Sequence, residues 1–211
     1  MTGPRRRRGR LIALEGIDGV GKSTLVRALA RALRRRGLSV AVRREPADPS
    51  LGRLAQAASV DDPWTGATYF TLDRYLARAS LERDLARHDL VLTDRSFYST
   101  LAYQGSTLGP AALRRLARLQ TAATRPPDQV IWIDLAPAEA LARLGRRGSH
   151  RSPLERAATL ERVADAYRRL ARRHRWDVID GRAAPRELVA GALRAIAPAG
   201  SKPRPRRPGR R

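Results

Sequence analysis

The sequence predicts an α/β domain: five parallel strands in one sheet, with helices on both faces. Three observations carry this. Short apolar runs alternate with segments of helical periodicity from Leu11 to a last helix opening at Pro185, the order that builds a parallel sheet through crossover helices. The first run, Leu11 to Leu14, leads into Gly16, four residues, then Gly21, Lys22 and Ser23, the spacing of a phosphate-binding P-loop between strand and helix. At 211 residues the chain has room for one such domain with a sizeable core, and too little for two. We expect that domain over residues 10–197, between basic tails at 1–9 and 198–211.

The loop spacing has a physical reason. A phosphate is wrapped by successive backbone N–H groups, and glycines permit the positive-φ turns and close approach this requires. The helix opening at about Ser23, with Leu25, Leu29, Ala32 and Leu33 on one face, aims its positive end at the same anion. Lys22 can reach β/γ-phosphates and the Ser23 hydroxyl can sit on Mg²⁺. The chain holds 43 Lys plus Arg, of which only Lys22 and Lys202 are lysine. In so arginine-rich a chain, lysine in this slot looks chemically required.

Gly37 is placed to close the first helix, and Leu38, Val40 and Val42 alternate as a second strand ending in Arg43, Arg44, Glu45 and Pro46. Charged residues at that strand end lie where open α/β sheets bind ligands, and equally suit a solvated turn. Leu51 to Arg87 reads as helical with a break near Asp61 to Trp64. Within it Phe70 and Arg74 are four apart and share a face; the pair can hold a nucleobase, or serve as core plus ion pair. Asp89 to Thr93 is a buried strand whose tip, Asp94, is at the Mg²⁺-holding Walker-B position. Arg95 follows it, and Ser99 to Gly105 is expected to begin the next helix.

Ala112 to Thr124 forms a further amphipathic helix, Val130 to Leu135 the fourth strand, and Pro137 opens a helix running through Leu144. Then arginines cluster at Arg143, Arg146, Arg147 and Arg151 between glycines, a composition suited to a lid over a transferring phosphoryl group or to a solvated basic loop. Leu160, Val163, Tyr167 and Leu170 mark a helix whose Tyr167 belongs to the core. Trp176 to Ile179 is the fifth strand, and Pro198 ends the last helix. His88, His150 and His174 have no metal-ligand spacing.

The formal charge of +23 raises nucleic acid as a partner. Much of it lies at the ends, with five arginines in the first ten residues and Lys202 plus five arginines from Gly200 to Arg211. Both tails are Pro/Gly/Arg-rich and read as disordered, so any nucleic-acid contact is expected through them. No run of about 18 apolar residues predicts a membrane span, and no apolar stretch after Arg8 predicts a secretory signal. Zero cysteines exclude disulfides and thiolate metal sites and suit a cytoplasmic location.

Several stretches in order resemble the bacterial thymidylate kinase (dTMP kinase) family, over roughly Arg10 to Ile196. They are EGIDGVGKST at Glu15 to Thr24, REP at Arg44 to Pro46, FTLDR at Phe70 to Arg74, DRSFYSTLAYQG at Asp94 to Gly105, the strand PDQVIWIDL and the segment HRSPLE. The resemblance implies a P-loop kinase fold, ATP with Mg²⁺, dTMP as acceptor and a homodimer. Lys22, Asp18, Arg95 and Arg151 would serve catalysis. Gly16, Ile17, Asp18, Gly19, Val20, Gly21, Lys22, Ser23 and Thr24 would bind ATP, with Arg143 and Arg147 reaching it from a lid at about 143–155. Ser23, Asp94 and Glu155 would lie at the metal. Phe70 would stack on thymine and Arg74 contact its edge, Arg44 and Arg95 would bind the acceptor phosphate, Tyr103 would pack on the deoxyribose, and Gln104 or Ser99 would finish the base pocket. Gly19 stands where some members carry a P-loop arginine, which implies that the lid supplies that charge.

The chain also departs from the pattern. Ala47, Asp48, Pro49 and Ser50 replace the usual Gly-Gly-Thr after REP, and Ser96 replaces a common aromatic or His. A deoxynucleoside kinase or another nucleotide kinase with a different acceptor is therefore an alternative, as is a basic nucleic-acid-binding module or an ATP-binding regulator without catalysis.

Overall fold

The computed structural model describes residues 8–146 and 157–196. Its sheet has five parallel strands: β1 (Arg10–Glu15), β2 (Val40–Arg44), β3 (Leu90–Asp94), β4 (Gln129–Asp134) and β5 (Asp177–Asp180), in the order β2-β3-β1-β4-β5. β1 is central because its side chains are apolar on both faces. Ile12 and Leu14 enter the larger core with Leu25, Leu29, Leu160, Val163 and Tyr167. Leu11 faces the other way, to Leu81, Leu85 and Val91. Alternation along one strand thus recruits helices to both faces.

On the larger face lie α1 (Lys22–Arg34), α6 (Pro137–Gly145), α7 (Ala157–His174) and α8 (Pro185–Ala195). The other carries α3 (Pro63–Arg87), paired with α2 (Pro49–Asp61), while α4 (Phe97–Tyr103) and α5 (Pro110–Ala123) meet α3 around Ala67, Phe97, Leu101 and Leu116. The starts of these helices are written in the sequence. Asp48 caps α2 through Ser50 and Leu51 N–H, Asp62 caps α3 through Trp64 and Thr65 N–H, and prolines open α2, α3, α5, α6 and α8.

Several expected boundaries move by one or two residues, and two have a clear cause. β2 begins at Val40, because Leu38 is still tied to α1 through its N–H to Leu33 O. The helix expected from Ser99 begins at Phe97, because the Ser96 hydroxyl accepts from Tyr98 N–H and caps it there. Gln104 is already past its end, and Gly105–Thr107 is a single 3-10 turn.

Parallel register brings the strand ends together. Leu14 and Arg44 both pair with Asp94, so the C-terminal tips of β1, β2 and β3 open on one side of the sheet, where ligands bind in open α/β folds.

Candidate active site

The loop after β1 turns through two glycines whose Cβ positions are already taken. At Gly16 (φ 147°) a Cβ would stand 2.8 Å from Ile133 O, and at Gly19 (φ 88°) 2.4 Å from Ala140 O of α6. No other residue fits Gly19 without moving α6, which is why no arginine can occupy that P-loop position here. The loop ends at Gly21, the N-cap of α1, and Gly16 to Thr24 form one rim of a cleft.

Lys22 is buried, and its Nζ donates to Gly16 O at 2.9 Å and Ile17 O at 2.8 Å, with Asp18 at 3.9 Å. Burial, then the nearby Arg95 charge, push its pKa down to about 8. Beside it the Ser23 hydroxyl donates to the buried Asp94 carboxylate at the tip of β3. These two oxygen ligands suit Mg²⁺, which is held through one or two carboxylates together with waters and substrate phosphates. Among the described residues there is no cluster of three or more His, Cys, Asp or Glu.

Arg95, directly after β3, has a left-handed backbone (φ 77°), uncommon for a non-glycine residue. Its guanidinium donates to Asp18 and, at 2.9 Å, to Ser99 Oγ, and lies 5.2 Å from the Tyr103 ring centre. The Tyr103 hydroxyl donates to Asp18 at 2.7 Å. Burial opposes the Asp18 charge, but Arg95 and Lys22 beside it prevail and hold its pKa at about 2. Asp18, Lys22, Ser23, Asp94 and Arg95, with the exposed Arg44 and with Leu144, line a cleft of about 150 Å³. It therefore gathers Lys22, Arg44 and Arg95, three cations set for phosphates, against two carboxylates.

The neighbouring polar cluster is denser than the sequence suggested. Arg74 is buried: its Nε donates to Glu45 at 2.7 Å, Nη1 to Thr100 Oγ1 at 2.9 Å and Gln120 Oε1 at 2.8 Å, and it sits 5.9 Å from the Phe70 ring. Burial pushes the Glu45 carboxyl up despite that arginine. Asp73, also buried, accepts from Ala47 N–H at 2.9 Å and Asp48 N–H at 2.7 Å. It thereby fixes the loop that departs from the usual pattern. Gln104 donates to Ser59 at 3.0 Å, and its Oε1 is a buried acceptor without a hydrogen-bond partner among the described residues.

The structure thus brings Asp18, Gly19, Gly21, Lys22, Ser23, Thr24, Arg44, Asp94 and Arg95 to one cleft. Arg143 is turned to Gly181 O, at 2.9 Å. Arg147, Arg151 and Glu155 lie outside the described residues. Sequence reasoning missed Glu15, Gln120 and the hydroxyl of Tyr167, and noticed Asp73 beside Phe70 and Arg74 without giving it a role. Glu15 and Asp73 do fall inside the EGIDGVGKST and FTLDR stretches, a signal that was there to follow; Gln120 had none.

The family model for thymidylate kinase matches residues 14–191. The chain belongs to the thymidylate kinase family. It is 36% identical over 197 residues to the thymidylate kinase of Synechococcus sp. (strain WH7803), covering 86% of this chain and 92% of that one. Against the probable thymidylate kinase of Methanopyrus kandleri identity is 42% over 169 residues, 78% and 75% of the two chains. With the thymidylate kinase of Paracidovorax citrulli it is 36% over 207 residues, 90% and 93%. Membership makes this chain a nucleoside monophosphate kinase. The five-stranded parallel sheet and the loop after β1 agree with that family's fold.

Proposed function

We propose that the chain transfers the γ-phosphoryl group of Mg·ATP to dTMP, and that the cleft at the tips of β1, β2 and β3 is where it does so. The carrying observation is the convergence of Arg44 and Arg95 on the same cleft as Lys22. Two arginines beyond the P-loop suit an acceptor that already bears phosphate, against a nucleoside acceptor. Lys22 would take the β/γ-phosphates, Ser23 and Asp94 would hold Mg²⁺, and bound Mg²⁺ neutralises charge on the phosphates. Arg44 and Arg95 hold the acceptor phosphate in line, so positioning and charge neutralisation carry the rate.

Phe70 supports the base from one side, over Arg74. Of Ser99 and Gln104, Gln104 suits the base edge better. Ser99 is spent on Glu15, Arg95 and Tyr167, whereas the free Gln104 Oε1 can accept from the imide N–H of thymine, which cytosine lacks. Tyr103, fixed by Asp18, packs on the sugar. Arg147, Arg151 and Glu155 act from the lid at about 143–155, joined by Arg143 of α6 only once it leaves Gly181 O, within a single kinase domain of residues 10–197.

Leu72, Tyr75 and Leu76 on α3 are 43%, 61% and 64% exposed and share a helix face, a surface suited to a second copy of the chain. Light scattering should give twice the chain mass, and a one-chain mass overturns the dimer. No described helix is long and apolar enough to cross a membrane.

The test is ADP release by the full chain with Mg·ATP against dTMP, dUMP, dCMP, dGMP and thymidine. dTMP should be used well above dCMP and dGMP. Faster turnover of thymidine than of dTMP would overturn the acceptor assignment.

A further inference from the structure

We infer that Glu15 is a positioning residue for Arg95, setting both the backbone and the guanidinium of the arginine that holds the acceptor phosphate. The inference rests on the proposed role of Arg95 and deepens it.

Glu15 ends β1, is 0% exposed, and has both carboxylate oxygens filled. One accepts from Ser96 N–H at 2.8 Å and Ser96 Oγ at 2.6 Å; the other accepts from Ser99 Oγ and Tyr167 OH, each at 2.8 Å. Among the described residues no arginine or lysine is ion-paired with it. A buried carboxylate without a direct cation costs stability even when hydrogen-bonded, so its contacts must secure something the fold needs.

What they secure is Arg95. Ser96 N–H belongs to the peptide that leaves Arg95, whose left-handed backbone the Glu15–Ser96 pair holds from the C-terminal side. Ser99 Oγ, its own proton directed within the Glu15–Tyr167 group, accepts from Arg95 Nη1 and clamps the guanidinium from the other. With both ends held, the remaining edge of the guanidinium meets Asp18 and the Tyr103 ring. Tyr167 joins the same carboxylate from α7, so three elements, β1, α4 and α7, are tied at the point where Arg95 is aimed.

Glu15→Gln keeps shape but turns an N–H₂ toward one of the two donor pairs. Tyr167→Phe removes one donor and leaves the carboxylate. With dTMP and ATP varied separately, Glu15→Gln should raise the dTMP KM about tenfold or more and lower kcat, with the ATP KM changed less than about twofold. Tyr167→Phe should move the dTMP KM the same way by about two- to fivefold, and it carries the comparison if Glu15→Gln does not fold. A lowered melting temperature with unchanged dTMP kinetics, or equal rises in both KM values, overturns the inference in favour of simple core loss. If the wild-type chain does not phosphorylate dTMP, the proposed function fails on its own. A crystal structure of Glu15→Gln then decides the positioning role: Arg95 displaced from Ser99 and Asp18 supports it, and Arg95 unmoved overturns it.

Discussion

The two halves proposed for the site, one for the donor and one for the acceptor nucleotide, are held by different means. The donor half is one continuous stretch, Gly16 to Thr24, shaped by backbone turns and the start of α1. The acceptor half gathers Arg44 from β2, Phe70 and Arg74 from α3, Arg95 after β3 and Tyr103 from α4. Those are joined by carboxylates, the buried Glu15 to Ser96 and Ser99, the half-buried Glu45 to Arg74, and the buried Asp73 to the Ala47–Asp48 backbone. A half built from backbone loses chemistry when a side chain is removed and keeps its shape. A half built from buried polar contacts loses shape and function together.

The largest separation should come from Lys22→Ala. Removing the phosphate-binding charge should lower kcat/KM by about 10²–10³-fold or more, by analogy with loss of one preorganised donor to a developing charge. The burial that depresses the Lys22 pKa also means its ammonium is an electrostatic cost to the empty fold, so the melting temperature should stay within a few degrees, about the shift of 1 kcal/mol or less. Steady-state rates and thermal melts check both. A variant that retains activity, or one that unfolds, would break the distinction between the halves.

Asp73→Asn tests the other side with a smaller effect. The amide must turn its N–H₂ toward Ala47 or Asp48 N–H, leaving a buried donor facing a donor at about 1–3 kcal/mol. Stability should fall by that amount in denaturant titration, and the dTMP KM should rise about tenfold while the ATP KM holds. An ATP KM that rises as much as the dTMP KM would show that the loop after Pro46 serves both nucleotides.

This contrast also governs what the sequence made legible. The P-loop could be read because its requirement is local, a spacing of glycines between an apolar run and a helical stripe. All five strands and the helix after β3 could be read for the same reason, with errors confined to ends such as Leu38, where α1 keeps its hold, and Ser99, where Ser96 caps the helix earlier. Arg74 beside Phe70 and Arg95 after the β3 tip were candidates from their local setting, but the resemblance alone gave them and Arg44 specific roles, since an arginine among so many carries little local mark. Glu15 and Asp73 were inside the matching stretches, yet neither was given a role. Nothing in the local pattern says that β1 is the central strand, or that a carboxylate on α3 will meet the backbone at Ala47. Gln120 reads as an ordinary polar position of α5 until Arg74 and Thr71 are placed against it.

The smallest predicted effect comes from pH, and it separates the halves by sign. Lys22 has its folded pKa lowered to about 8, below its value near 10.4 in the unfolded chain. Between those values the unfolded chain binds more protons, so the Lys22 contribution to stability of the empty enzyme improves as pH rises through that window. ATP affinity should move the opposite way, because a polyphosphate needs the ammonium that the empty site sheds above pH 8. If the bound complex keeps Lys22 charged, the Kd for ATP should rise about fourfold between pH 7 and 8.5, with proton uptake on binding near pH 8. Around Arg95, where the acceptor phosphate is proposed to bind, the shifted groups are driven away from that range. Asp18 is held at about 2, Tyr103 is driven well above the ordinary phenol by burial and then by Asp18, and Arg95, although burial opposes its charge, is kept protonated by Asp18. The dTMP Kd should therefore stay flat over the same interval. Calorimetric titration of each nucleotide in buffers of different ionisation enthalpy reads both slopes, and equal slopes for ATP and dTMP would mean that Lys22 charge is shared by the two halves.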